Sequence, residues 1–259
     1  MNTLKLKLNL LENAIDSLEE GVRKYLEWEK GNKKDLKFSV LNIAHFIELF
    51  LKYYVSEQHL LLIYNKPCER ITNESKTISL DQAIQILENC EVKIGKSIVS
   101  DAKKLKLLRN KIEHYEFELN INETQELIGK LIYDLIIFDK KHLDIKLNEH
   151  LPSALWSTLD HLSKAYELKV ESAISEAGKT GREIFICYSC GNNTQVVSED
   201  GEKAICVYCD NWQIMGECCL DCGKTFPISH MRMWNEEYSH FICEYCNEQF
   251  IDDRFMKDD

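Results

Sequence analysis

The chain holds 259 residues and carries a formal net charge of −11, enough length for one large or two modest domains. No apolar run approaches the roughly 18–20 residues of a membrane span, and the acidic balance, which falls almost wholly on residues 182–259, argues against that C-terminal segment gripping a phosphate backbone. That charge is uneven: residues 182–259 hold 6 basic and 15 acidic side chains, whereas residues 1–181 hold 26 and 28.

Leu8, Leu11, Ile15, Leu18, Val22 and Tyr25 recur at three- and four-residue steps and predict a first helix. A second is expected from Phe38 to Tyr64, apolar nearly all round and therefore central. Within it His45, Glu48 and Lys52 share one face. A polar stripe on a buried helix must be paired, because an uncompensated buried charge costs several kcal/mol. The stripe is either a Glu48–Lys52 surface pair or one wall of a polar cleft. Shorter helices are expected at Leu80–Glu88 and Ile98–Tyr115, and a long one at Glu123–His142. The last starts after Pro152 and runs through Leu155, Leu159, Leu162 and Tyr166 toward Ala177. The fold class is mainly α, a bundle of five or six helices. The glycines of Gly178-Lys179-Thr180-Gly181 stop the last helix. The expected organisation is a bundle over 1–150, a helix and linker over 151–181, and a metal module with short β-strands over 182–259.

The fourth predicted helix carries Arg109-Asn110-Lys111-Ile112-Glu113-His114. Its apolar stripe is Leu105, Leu108, Ile112 and Tyr115. Asn110 and His114 sit opposite that stripe, one turn apart, with Arg109 and Glu113 on the flank. Arg109 and His114 are separated by about 140° round an ideal helix. They converge on one ligand only if the arginine reaches round or the helix loosens near His114. The plain alternatives are an i, i+4 Arg109–Glu113 surface pair and a solvated histidine at a helix end.

At these residues the helical region resembles the HEPN superfamily, whose motif is an arginine, usually followed by a polar residue such as asparagine, and then a histidine after four to six intervening residues. Phe46-Ile47-Glu48-Leu49-Phe50-Leu51-Lys52 is similar to the Glu-Leu-x-x-Lys helix found in many such proteins. The resemblance covers roughly residues 1–150. It implies a metal-independent endoribonuclease in which two motifs, one per protomer of a homodimer, form a composite site. It also implies a toxin or antiviral-defence role, with an antitoxin or defence-system protein as a partner beside the RNA substrate. Such cleavage uses the substrate 2′-hydroxyl as nucleophile and leaves a 2′,3′-cyclic phosphate. His114 suits proton transfer near neutrality. Arg109 suits the phosphate, because its planar guanidinium donates paired hydrogen bonds and stays charged. Asn110 can orient the imidazole or bond a phosphate oxygen, and Glu48 can hold a cation toward the site. The rival reading is a non-catalytic binding or regulatory protein.

Nine of the eleven cysteines lie from Cys187 onward, as four Cys-x-x-Cys knuckles: Cys187/Cys190, Cys206/Cys209, Cys219/Cys222 and Cys243/Cys246. Their separations fit the halves of four-cysteine zinc ribbons. Two structural Zn²⁺ ions and no catalytic metal are expected, since four thiolates leave no open coordination position. Sequential pairing of knuckles and a cross-braced arrangement are both compatible with the spacing, and Cys218 is an alternative to Cys219. Gly191 and Gly223 each follow a knuckle, where positive φ turns backbone N–H groups toward sulfur. His230 and His240 fall between the last two knuckles and are alternative ligands. Trp212, Phe226, Trp234, Tyr238 and Phe241 read as packing around the metal strands or as a base-stacking surface. An acidic ribbon suits a protein partner or dimerisation. Metal-type cysteine spacing without a signal-peptide pattern at Met1-Asn2-Thr3-Leu4-Lys5 predicts a reducing, cytoplasmic location.

Overall fold

The computed structural model describes residues 7–72, 74–235 and 240–255. It is mostly helical, with a small antiparallel β region toward the C-terminus. It divides into two compact units, Met1–Glu167 and Leu168–Asp259.

The first unit begins with α1 (Leu10–Glu29). Asn9 accepts a hydrogen bond from the Glu12 backbone N–H at 2.9 Å, and the Glu12 carboxylate accepts one from Asn9 N–H at 2.8 Å. This reciprocal cap satisfies two of the donors a helix start leaves bare. Gly31, at φ 107°, turns the chain into α2 (Asp35–Gln58). The two helices approach closely at Gly21, where a Cβ would lie 2.8 Å from Ile43 Cγ1 and 3.2 Å from its backbone nitrogen.

Helix α2 is central, as its all-round apolarity predicts. Phe46, Phe50, Leu51, Tyr54 and Val55 are almost wholly buried, and α2 packs against α1, α3 (Leu80–Asn89) and α4 (Lys96–His114). Each such side chain contributes about 1.5–3 kcal/mol by leaving water. The core continues through Leu18 of α1, Leu105 of α4, and Ile128, Leu131 and Leu135 of α5 (Ile121–His142). Helix α5 meets α7 (Ser153–Lys179) through Gly129, where a Cβ would come within 2.7 Å of the Leu162 carbonyl oxygen.

The second helix is shorter than its apolar run. It stops at Gln58, His59 is extended (φ −165°, ψ 131°), and Leu60–Ile63 forms a separate 3₁₀ turn. The reason is local: the His59 ring accepts the Leu61 backbone N–H at 3.2 Å, capping a new turn. A one-turn helix, α6 (Leu147–His150), also appears between α5 and α7. The buried Asp139 carboxylate builds that connection. It accepts bonds from Ile145 N–H at 3.1 Å and Lys146 N–H at 3.3 Å, and from the Tyr54 hydroxyl at 2.5 Å. Burial and the neighbouring Asp139 charge push the Tyr54 phenol up, so it remains a donor.

The division between the units falls inside α7, at Glu167/Leu168, rather than at 150 or 181. The first turns of α7 bury Leu155 and Leu159 in the bundle core. Helix α7 ends where expected, with Gly181 at φ 65°.

In the second unit, β1 (Ile184–Ile186), β2 (Asn193–Val197), β3 (Lys203–Cys206), β4 (Trp212–Cys218) and β5 (Thr225–Pro227) form one antiparallel sheet in sequence order. A separate hairpin pairs β6 (Met231–Asn235) with β7 (His240–Cys243), and α8 (Glu244–Phe255) follows directly. Tyr238 lies outside the described residues. Among the described residues, no helix is long and apolar enough to cross a membrane.

Candidate functional site

Two sets of side chains carry chemistry, one in each unit. In the bundle, the polar stripe of α2 faces the motif helix α4. Glu48 bridges two cations: Lys52 Nζ donates to Oε1 at 2.7 Å and Arg109 Nη1 donates to Oε2 at 3.1 Å. Arg109 also approaches Glu113, Nε to Oε2 at 3.5 Å. That Nε is shielded from solvent and makes no hydrogen bond among the described residues. Lys52 is nearly buried, Glu48 and Arg109 are partly buried, and the Glu113 side chain is 41% exposed. The stripe is therefore no isolated surface pair, because Glu48 ties α2 to α4.

Burial alone would raise the Glu48 carboxyl. The hydrogen bonds and charges of Lys52 and Arg109 outweigh it and hold the group below the usual carboxylate range. Lys52 is further fixed by the Thr77 hydroxyl at 3.3 Å.

His45 lies one turn before Glu48 and is exposed. Its Nδ1 is 3.2 Å from the buried Ser17 hydroxyl of α1. Loss of solvation lowers its pKa from the ordinary 6.5. Arg109 and Lys52 push the same way, against Glu48 and Glu113. These influences place His45 in one electrostatic neighbourhood with the α4 residues.

Asn110 is half-buried, and His114 is the exposed last residue of α4, followed by extended Tyr115. Neither side chain makes a hydrogen bond among the described residues. The helix thus ends at His114, one residue before the expected Tyr115. Arg109, Glu48 and Lys52 are joined, while His114 stands outside that bonded network. Sequence reasoning missed Ser17. Its one signal is a small hydroxyl between Ala14 and Leu18, both fully buried.

In the second unit the sulfurs of Cys187, Cys190, Cys206 and Cys209 gather in one group and those of Cys219, Cys222, Cys243 and Cys246 in another, all within 4.8 Å of one another in each group. The knuckles therefore pair sequentially. Cys218 is exposed and outside the group, and His230 instead bonds the Ile186 carbonyl oxygen at 2.7 Å.

Each group can hold a metal ion. Separations of 3.7 Å for Cys187–Cys209, 3.6 Å for Cys190–Cys206 and 4.0 Å for Cys222–Cys243 bracket the roughly 3.8 Å edge of a tetrahedron with metal–sulfur bonds of about 2.3 Å. Three knuckles share one turn. Gly191 N–H reaches Cys187 O at 2.7 Å, Asp210 N–H reaches Cys206 O at 2.9 Å, and Gly223 N–H reaches Cys219 O at 2.9 Å. All three residues after the knuckle take positive φ, at 75°, 56° and 69°. Asp210 does so without being glycine, as aspartate tolerates the left-handed region better than most residues. The fourth knuckle instead starts α8, and Cys243 N–H donates to Cys219 Sγ at 3.3 Å. Such donors orient thiolates and tune a bound metal.

No family model, curated protein or solved structure matches this chain.

Proposed function

We propose that the bundle is a HEPN-type domain and the protein a metal-independent endoribonuclease. It would cleave RNA by attack of the substrate 2′-hydroxyl, leaving a 2′,3′-cyclic phosphate. The observation that carries this reading is the Arg109–Glu48 contact, which joins the motif arginine to the Glu-Leu-x-x-Lys helix of the resemblance. Glu48 anchors the guanidinium from one side. Glu113, the more exposed and more distant carboxylate, is the one an incoming phosphate displaces. Arg109 then stabilises charge on the phosphorane, and His114, at a free helix end, gives its proton to the leaving 5′-oxygen. Asn110 is within one turn to steady either group. A homodimer would bring two such motifs together, and a toxin or defence role with a controlling partner protein follows from the resemblance.

The two four-cysteine groups are assigned as structural zinc sites. Four thiolates close each coordination sphere, and binding supplies about 10 kcal/mol or more of folding free energy to a segment with a small core. The ribbon then serves partner choice or assembly.

The test is incubation of the purified chain with RNA in excess EDTA. Cleavage giving cyclic phosphate ends, abolished by Arg109→Ala and by His114→Ala, supports the enzyme. Inertness toward all RNAs favours the second reading, a binding or regulatory protein. One observation speaks for that alternative: the Arg109 charge is already engaged by two carboxylates.

A further inference from the structure

We propose that His45 is the proton acceptor of the cleavage reaction and that Ser17 positions it, an assignment resting on the ribonuclease reading above. A cleavage of this kind moves two protons. One leaves the 2′-hydroxyl as its oxygen attacks phosphorus; the other arrives on the 5′-oxygen as the P–O5′ bond breaks. One His114 serves one of these at a time, so a second group takes the other proton; the contact of His45 with Ser17 marks His45, rather than a second copy of His114, as that group.

The Ser17 hydroxyl carries a single proton and donates it to the Asn13 carbonyl at 2.9 Å. Its 3.2 Å contact with His45 Nδ1 can therefore be a hydrogen bond only if Nδ1 is the donor. A neutral imidazole with its proton on Nδ1 has a bare lone pair on Nε2. Ser17 is buried and His45 exposed, so the tied edge faces the helix interface and the basic edge faces solvent. That is the tautomer a general base needs, and a neighbouring group sets it.

The surroundings favour the neutral form. Charged groups act on His45 from its own helix, Glu48 and Lys52, and from α4, Arg109 and Glu113; from α1 it meets Ser17. Desolvation and the two cations keep the ring below ordinary histidine basicity, so it is unprotonated at neutral pH. Glu113, whose charge reaches His45, immediately precedes His114. In the reaction Nε2 takes the 2′-hydroxyl proton, the O2′–P bond forms and the P–O5′ bond breaks. The 5′-oxygen leaves with the His114 proton. Water then returns His45 to neutral and His114 to imidazolium.

The test uses an oligoribonucleotide that the wild-type chain cleaves, made also with sulfur in place of the scissile 5′-oxygen, since a thiolate departs without protonation. His45→Gln should lower kcat/KM about 10²–10⁴-fold and remove the acid limb of the pH profile. Sulfur should restore His114→Ala and leave His45→Gln impaired. In ¹⁵N-detected NMR, His45 should show Nδ1–H in the wild type, lose that preference in Ser17→Ala, and regain it in Ser17→Thr. Wild-type rates in a folded His45→Gln chain overturn the assignment while His114→Ala still tests the enzyme. An Nε2–H tautomer overturns the role of Ser17. A wild-type chain that cleaves no RNA removes the ribonuclease reading and the base role with it.

Discussion

Glu48 and Arg109 stand sixty-one residues apart in the chain and 3.1 Å apart in the fold, the carboxylate of α2 accepting from the guanidinium of α4. Because Glu48 also holds Lys52, Glu48→Gln removes one charge and leaves two cations facing each other. It should cost about 1–3 kcal/mol and lower RNA cleavage. The folded pKa of Glu48 lies below its ordinary 4.5, so its stabilisation is fully present above that value and fades as pH falls through the depressed one. Urea unfolding of both chains should show a constant gap above about pH 5 that closes in acid. A gap independent of pH would show that charge is not its source.

On the proposed ribonuclease reading, Glu113 would compete with a substrate phosphate for Arg109. Glu113→Gln should therefore lower KM several-fold, with little change in kcat, because the displaced group is removed before substrate arrives. Its exposed position predicts a stability change within about 1 kcal/mol. Steady-state kinetics on one RNA decides this; a raised KM would mean that Glu113 positions the arginine rather than blocking it.

Elemental analysis should find two zinc ions per chain. Cys219→Ser should lower the content to about one, while Cys218→Ser should leave it at two, because Cys218 lies outside the sulfur group. Chelation should abolish the β structure of the second unit and leave most helical circular dichroism, since the bundle has its own core. Iron in place of zinc would correct the metal without touching the ligand set.

Gly129→Ala sets helix propensity against packing. Alanine favours a helix interior by about 1 kcal/mol, but the new Cβ would meet the Leu162 carbonyl oxygen at 2.7 Å, and a backbone atom within α7 cannot swing aside. Packing should win, with a net loss of about 1–3 kcal/mol, read as a lower urea midpoint. A more stable variant would mean that α5 and α7 part easily.

Periodicity made the helices legible because a buried stripe leaves a repeating trace, and α2 was legible as the centre because it lacks a polar side. Where α2 stops was not, since Leu60-Leu61-Leu62-Ile63 is as apolar as the helix before it, and a histidine cap decides the break. Cysteine spacing carried the metal groups almost completely, because a tetrahedron dictates local geometry. Asp210 was overlooked because only glycine advertises positive φ. The polar stripe was visible, but its partner depended on the rotation of α4 against α2, which comes from packing over many residues. Ser17 was hidden because one hydroxyl within an apolar stripe has no pattern to break.

If the proposed function holds, the ion network of the bundle would also govern how an RNA arrives. Two cations and two carboxylates close on each other, so the cluster projects almost no field beyond its own contacts. Attraction at a distance, which speeds many encounters between proteins and nucleic acid by orders of magnitude, is missing here, and the chain's overall charge of −11 works against approach. An RNA would have to be delivered or find the cluster by collision, and only then trade one carboxylate for its own phosphate. Association should be slow at low salt and speed up as added salt screens the like-charge repulsion, a latency set by pairing and charge.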